Sequence, residues 1–253
     1  MIKKLFSFFY IISFIVILQL NLNAQETCVT IDNGEVMGVI FRNTLQFYES
    51  NGHSWEIIQG MDMKLPSQSK GVISIHDGII GVITNNRIQF YFLNESVQWE
   101  YIPYLDFIFP KNCQYVFGIN EIIGAVINNK IQFYSFDELS KKWFLLLNSI
   151  IPELELLNGY TSIFGYNTGI TIFNTRIGVI VYDKIFFYDL ALGYPNTSWR
   201  VNEGMEMILP KGYEGAFNLF EDIIGVITKE RIIFYDFFSN RWITVPDFEF
   251  RRR

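Results

Sequence analysis

IGAVINNKIQFY, residues 123–134, is one of five versions of a single stretch. The others are MGVIFRNTLQFY (37–48), IGVITNNRIQFY (80–91), IGVIVYDKIFFY (177–188) and IGVITKERIIFY (224–235). In each, Phe-Tyr follows the Gly at a distance of nine residues. A Trp comes a little later: Trp55, Trp99, Trp143, Trp199 and Trp242 are all the Trps in the chain. A fixed internal period sets the architecture before any single side chain is interpreted.

The third copy continues as SFDELSKKWFLLLNSIIPE to residue 153 and begins as YVFGINE at Tyr115. It divides into four apolar runs: Tyr115–Ile119, Ile122–Ile127, Lys130–Phe136 and Trp143–Leu147. β-Branched and aromatic residues bounded by Asn, Asp, Gly and Ser are the composition of strands, here named A to D. No run keeps a helical apolar spacing. B and C are joined by two residues: Arg42-Asn43, Asn85-Asn86, Asn128-Asn129, Tyr182-Asp183 or Lys229-Glu230. Such a short hairpin predicts a type I′ turn. It also fixes the nine-residue spacing, because an insertion would turn later side chains to the wrong face. The Tyr-to-Trp distances are 7, 8, 9, 11 and 7, so the C–D loop carries the variation. The two Asn-x-Ser sequons, at Asn94 and Asn196, fall in this loop class.

After strand D a second piece recurs: MDMKLP (61–66), LDFIFP (105–110) and MEMILP (205–210), with degenerate forms PELEL (152–156) and PDFEF (246–250). Its alternation fits a half-exposed extended segment that Pro ends, read as the crossing from one unit to the next. The repeated glycines are separated by 43, 43, 54 and 47 residues. The extra length of the third step is assigned to Leu156–Thr168, and a loop that breaks the period is where function is sought first.

Four strands per 43–54 residues in tandem predict an all-β fold, a five-bladed β-propeller of four-stranded antiparallel blades. The expected units are about 26–66, 67–110, 111–152, 153–210 and 211–250. No spare strand remains to complete a split blade, so closure is expected from Asp247–Phe250 packing towards the first blade. An open, solenoid-like curve is the alternative. Residues 221–248 (EDIIGVITKERIIFYDFFSNRWITVPDF) resemble a kelch repeat in Gly225, Tyr235-Asp236 and Trp242. A single Gly before Val or Ala replaces the kelch diglycine in all five copies. The resemblance implies a propeller and no ligand residues.

The N-terminus reads as an export signal over residues 1–24. Lys3 and Lys4 precede the apolar run Leu5–Leu20, and Asn21–Ala24 supplies a cleavage point before Gln25. The run is short for a spanning helix and contains Gln19. A secreted or periplasmic protein without a membrane span after cleavage is therefore expected. Losing the two lysines moves the formal charge from −6 to −8, which argues against nucleic acid. Cys28 and Cys113 lie near equivalent points of repeats one and three, too far apart in a ring to pair.

Each candidate site has a structural counterpart. A Trp at one fixed position per blade packs between blades, which outweighs a carbohydrate-stacking role. The A–B turns carry Asp32, Asp77, Glu121 and Glu221-Asp222, with Thr175 in repeat four. Asp32, Asp77, Glu121 and Asp222 could form a carboxylate ring for Ca²⁺ at one channel mouth or act as glycosidase carboxylates. Asp and Asn also simply suit tight turns. His53 and His76 have no nucleophile motif nearby. No cofactor is required by any motif. The favoured reading is an exported, non-catalytic binding or scaffold module for a protein or carbohydrate. Its predicted ligand residues are Tyr160 and Phe164 in the insertion, with Lys70, Lys111 and Lys211 at the D–A crossings. A carbohydrate-active hydrolase and a purely structural envelope protein are the alternatives.

Overall fold

The computed structural model describes residues 28–31, 36–51, 54–76, 78–119, 121–147, 150–167, 175–191, 197–220, 223–239, 241–245 and 250–251. The predicted signal lies outside these residues. Among the described residues no helix is long and apolar enough to cross a membrane.

The chain folds into five antiparallel sheets, one per repeat, arranged as a five-bladed propeller. Blade one holds β1 (Cys28–Ile31), β2 (Val36–Phe41), β3 (Thr44–Ser50), β4 (Trp55–Ile57) and β5 (Met63–Lys64). Blade two holds β6 (Gly71–His76), β7 (Ile79–Ile83), β8 (Arg87–Leu93), β9 (Trp99–Tyr101) and β10 (Phe107–Ile108). Blade three holds β11 (Cys113–Ile119), β12 (Ile122–Ile127), β13 (Lys130–Asp137), β14 (Lys142–Leu145) and β15 (Leu154–Glu155). Blade four holds β16 (Tyr160–Asn167), β17 (Thr175–Val181), β18 (Lys184–Ala191), β19 (Ser198–Val201) and β20 (Met207–Ile208). Blade five holds β21 (Tyr213–Phe220), β22 (Ile223–Thr228), β23 (Arg231–Phe238), β24 (Arg241–Thr244) and β25 (Phe250–Arg251).

The first four strands of each blade are A to D. The fifth, two residues long, pairs with the start of strand C beside D. The recurring acid-apolar piece is thus a short strand before it is a crossing. Blade three consequently extends to Glu155, so its boundary lies beyond residue 152.

The Gly signature has a steric cause. Gly38, Gly81, Gly124, Gly178 and Gly225 each sit in register between an apolar residue of strand A and the Phe of strand C. In blades three to five the strand A residue is Phe117, Phe164 or Phe217, and its ring lies over the glycine. A Cβ there would approach the ring to 2.2, 2.3 or 2.4 Å. The Phe of strand C then receives the Trp of the next blade. Trp99 stacks on Phe47, Trp143 on Phe90, Trp199 on Phe133 and Trp242 on Phe187, with centroids 5.1–5.7 Å apart. Each of these four indoles also donates its Nε1–H to the preceding blade, to Met61, Leu105, Pro152 or Met205 carbonyl oxygens at 2.7–2.9 Å.

The fifth junction closes the ring. Trp55 of blade one stacks on Phe234 of blade five at 5.8 Å. Cys28, Met37 and Val39 share a core with Phe217, Leu219 and Ile232, and the Thr30 hydroxyl donates to Asn218 O at 3.3 Å. Phe250, expected to reach towards blade one, instead pairs with Ile232 of its own blade. Near the axis the strands A abut. A Cβ on Gly118 would lie 1.9 Å from Ser74 O, and one on Gly165 would lie 2.4 Å from Gly118 O.

The type I′ expectation holds where both central residues take positive φ: Arg42 and Asn43, and Asn128 and Asn129. In blades two and five the hairpin ladder stops earlier. There the Thr84 and Thr228 hydroxyls donate to Arg87 O and Arg231 O across the turn, at 2.9 and 2.7 Å.

Candidate functional site

One end of the propeller carries the B–C turns and the passages into each strand A. Tyr160 and Tyr213 begin strands A of blades four and five, each where the ladder bulges. Tyr160 is half-buried, and its hydroxyl donates to Gln114 Oε1 of blade three at 3.4 Å. Burial pushes its phenol above the ordinary value. The Tyr213 hydroxyl donates to Tyr182 O.

Tyr182 occupies the first position of a B–C turn with φ 53° and is 72% exposed. The left-handed region costs a side-chain-bearing residue about 1 kcal/mol or more. Its ring is the nearest neighbour of Gly159, 3.0 Å from where a Cβ would sit. Gly159 (φ 84°), Gly212 (φ 81°) and Asn112 (φ 63°) occupy corresponding places just before strands A of blades four, five and three. The residues before them are Asn158, Lys211 and Lys111, and both lysines are exposed.

The predicted ligand residues separate on this frame. Tyr160, Lys111 and Lys211 lie at this end. Lys70 follows the equivalent turn, which closes from Ser69 N–H to Pro66 O, so Ser67 and not Lys70 corresponds to the other two lysines. Phe164 is 1% exposed and covers Gly178 inside the core, so it has no surface for a ligand. The segment 156–168 is not an inserted loop, since most of it is β16. Extra length instead appears between β14 and β15, residues 146–153, and between β16 and β17, residues 168–174. The latter lie outside the described residues. Tyr182 was missed by counting sequence gaps, although a Tyr in a turn otherwise built of Asn, Asp, Arg, Lys and Glu was a visible signal.

Of the four candidate metal ligands, Asp32, Asp77 and Asp222 lie outside the described residues. Glu121 is exposed, takes φ 62° and donates its N–H to Ile75 O of blade two at 2.7 Å, a backbone link between blades. Thr175 is buried at the start of β17, so it is not a turn residue. Among the described residues no group of three His, Cys, Asp or Glu is placed to hold a metal. His53 and the side chain of His76 lie outside the described set. Both cysteines are buried and unpaired with each other.

Three acids of the recurring piece have structural partners. Arg87 meets Asp106 at 3.1 Å, Lys130 meets Glu153 at 3.6 Å and Lys184 meets Glu206 at 4.0 Å. Each cation is the first residue of strand C, six residues after the repeated Gly. Asn94 is likewise occupied locally, its Oδ1 accepting from the Ser96 and Gln98 N–H groups at 2.9 Å. Asn196 lies outside the described residues.

No protein-family model and no curated protein matches the chain. Several solved structures are similar. A functionally unknown protein of Desulfotomaculum acetoxidans is 13% identical, with 87% of this chain and 68% of that one covered and a TM-score of 0.44. A Lactobacillus plantarum protein is 7% identical, with 90% and 74% covered and a TM-score of 0.46. The WD40 domain of SCAP from fission yeast is 11% identical, with 89% and 55% covered and a TM-score of 0.45. The chain therefore spans little more than half of that domain. Likeness at this level carries no functional information.

Proposed function

We propose that the protein is an exported, non-catalytic binding or scaffold module built of kelch-like repeats. Its ligand, a protein or a glycan, is held at the end formed by Tyr160, Tyr182, Tyr213, Lys111 and Lys211. The observation that carries this reading is Tyr182, a large aromatic kept 72% exposed at a backbone position that favours Gly. Strain retained at a surface aromatic points to use of that surface. Tyr is an effective contact residue because it offers a large rigid face at small entropic cost. The two lysines favour a ligand with acidic groups.

The test is a glycan array and an envelope-protein pull-down, run with wild type, Tyr182→Ser and Lys111→Glu/Lys211→Glu. The reading expects a ligand bound by wild type and weakened at least tenfold by each variant. A ligand held equally by all three forms, or none in either screen, refutes it.

A further inference from the structure

The outer edges of the five blades are not alike. Strand D follows its Trp with Glu56, Glu100, Phe144, Arg200 or Ile243. A charge on an edge strand deters pairing with another strand. Blades three and five have none there, and blade three alone continues as an apolar run, Trp143-Phe144-Leu145-Leu146-Leu147, where blade five reads Trp242-Ile243-Thr244-Val245-Pro246. The Leu146 N–H donates inward to Phe133 O at 2.8 Å. By strand alternation the backbone groups of Trp143 and Leu145 point away from the blade. The connection to β15 is also longer here than in blades one, two and four, eight residues against five. It leaves Leu147 and Ile150 69% and 44% exposed, beside Phe144 at 46% and Leu145 at 48%. Tyr104, 54% exposed, extends the surface from blade two, where Lys141 Nζ sits 4.8 Å from its ring centroid.

We infer that this edge pairs with the same edge of a second copy of the chain, forming a two-fold dimer through β14. An antiparallel register centred on Phe144 sets Trp143 opposite the second copy's Leu145, so outward N–H and C=O groups on both strands are satisfied together. Phe144 meets its own equivalent, and Lys142 meets Leu146. No like charges oppose each other. The same operation at Glu56, Glu100 or Arg200 would set like charges face to face, which destabilises a strand pair. The patch is self-complementary, as an isologous contact requires. Phe144 and Tyr104, aromatic side chains of roughly 200 Å² each, together with Leu145, Leu147 and Ile150, offer on the order of the 1,000 Å² in all that is the lower limit for a specific interface. An interface at that limit belongs to the class of weak, transient contacts. The contact lies on the rim and is independent of the proposed ligand end.

Sedimentation velocity of the purified protein over a concentration series tests the inference. Wild type should pass from monomer to dimer. Phe144→Glu and Leu147→Lys should each remove the dimer, while Ile57→Glu on the blade-one edge should leave it. Leu147→Lys alters a side chain exposed on the surface, so it reports even if Phe144→Glu fails to fold. A wild type that stays monomeric throughout overturns the inference. So does a dimer that survives Leu147→Lys, or capture of an unrelated extended peptide by monomer at this edge.

Discussion

Gly124→Ala adds one methyl group and is expected to be among the most damaging small substitutions in the protein. The new Cβ would lie 2.2 Å from Phe117 Cζ and 2.4 Å from its Cε1, whereas carbon atoms pack best at about 3.5–4.0 Å. Phe117 is fully buried against blade four, so its ring cannot swing into solvent. Overpacking of this kind costs about 1–3 kcal/mol, and the depth of overlap puts Gly124→Ala near about 3 kcal/mol. Phe117→Ala alone should cost about 3–5 kcal/mol as a cavity. The double variant should cost little more than Phe117→Ala, because the added methyl then occupies vacated space. Equilibrium urea unfolding followed by circular dichroism measures all three. Gly215→Ala, whose Cβ meets nothing nearer than 3.9 Å, is the control and should shift stability by less than about 0.5 kcal/mol. A loss below about 1 kcal/mol for Gly124→Ala, or additivity within about 0.5 kcal/mol in the double variant, would refute the steric account.

Two further outcomes are expected. Burial pushes the Cys113 thiol from 9.0 up to about 12. The folded value is the higher one, so the neutral thiol's contribution is complete below pH 9 and fades as pH rises through about 12. Cys113→Ala should therefore show a shallower loss of stability between pH 9 and 11 than wild type, by about 1 kcal/mol per pH unit, in urea unfolding at each pH. Tyr182→Gly should raise stability by up to about 1 kcal/mol by relieving the left-handed turn, while losing any ligand held there; a fall in melting temperature would contradict the strain assigned to this residue.

The hairpin register was legible because it rests on local constraints. A two-residue turn and a glycine set against the Phe of strand C leave one alignment of strands B and C. The third repeat's strand ends, read from composition, differ from the observed ones by only one or two residues. Contacts that return from a distance were harder to read. The cations at 87, 130 and 184 stand at a fixed distance from the Gly, but nothing local shows that the acid-apolar piece folds back beside them. The 156–168 stretch was misassigned for a related reason. Counting from Gly to Gly measures the total excess length but not its distribution, and the pairing of Phe164 with Gly178 shows that segment to be strand A.

The ring's closure distinguishes a propeller from an open curve, and it makes a sharp demand on Trp55. Sequentially adjacent blades are joined by chain as well as by packing, whereas the described residues of blades five and one are held together by packing and by contacts such as Thr30 to Asn218. In a closed ring Trp55 has the same task as Trp143, one stacking on Phe234 and the other on Phe90. Alanine at either position should then cost about 3–5 kcal/mol, the range for a large aromatic removed from a packed site. In an open curve Trp143 would keep that value, while Trp55 would cap an exposed end and its truncation would cost less than about 1 kcal/mol. A Phe variant separates stacking from hydrogen bonding. Trp143→Phe keeps a stacked ring but strips the donor from Leu105 O, so it should lose only about 1–2 kcal/mol. Urea unfolding of Trp55→Ala, Trp143→Ala and Trp143→Phe under one condition compares the junctions directly. Near-equal losses for the two alanine variants follow from five equivalent junctions, whereas a Trp55→Ala protein as stable as wild type would mean that the ring is not closed by this contact.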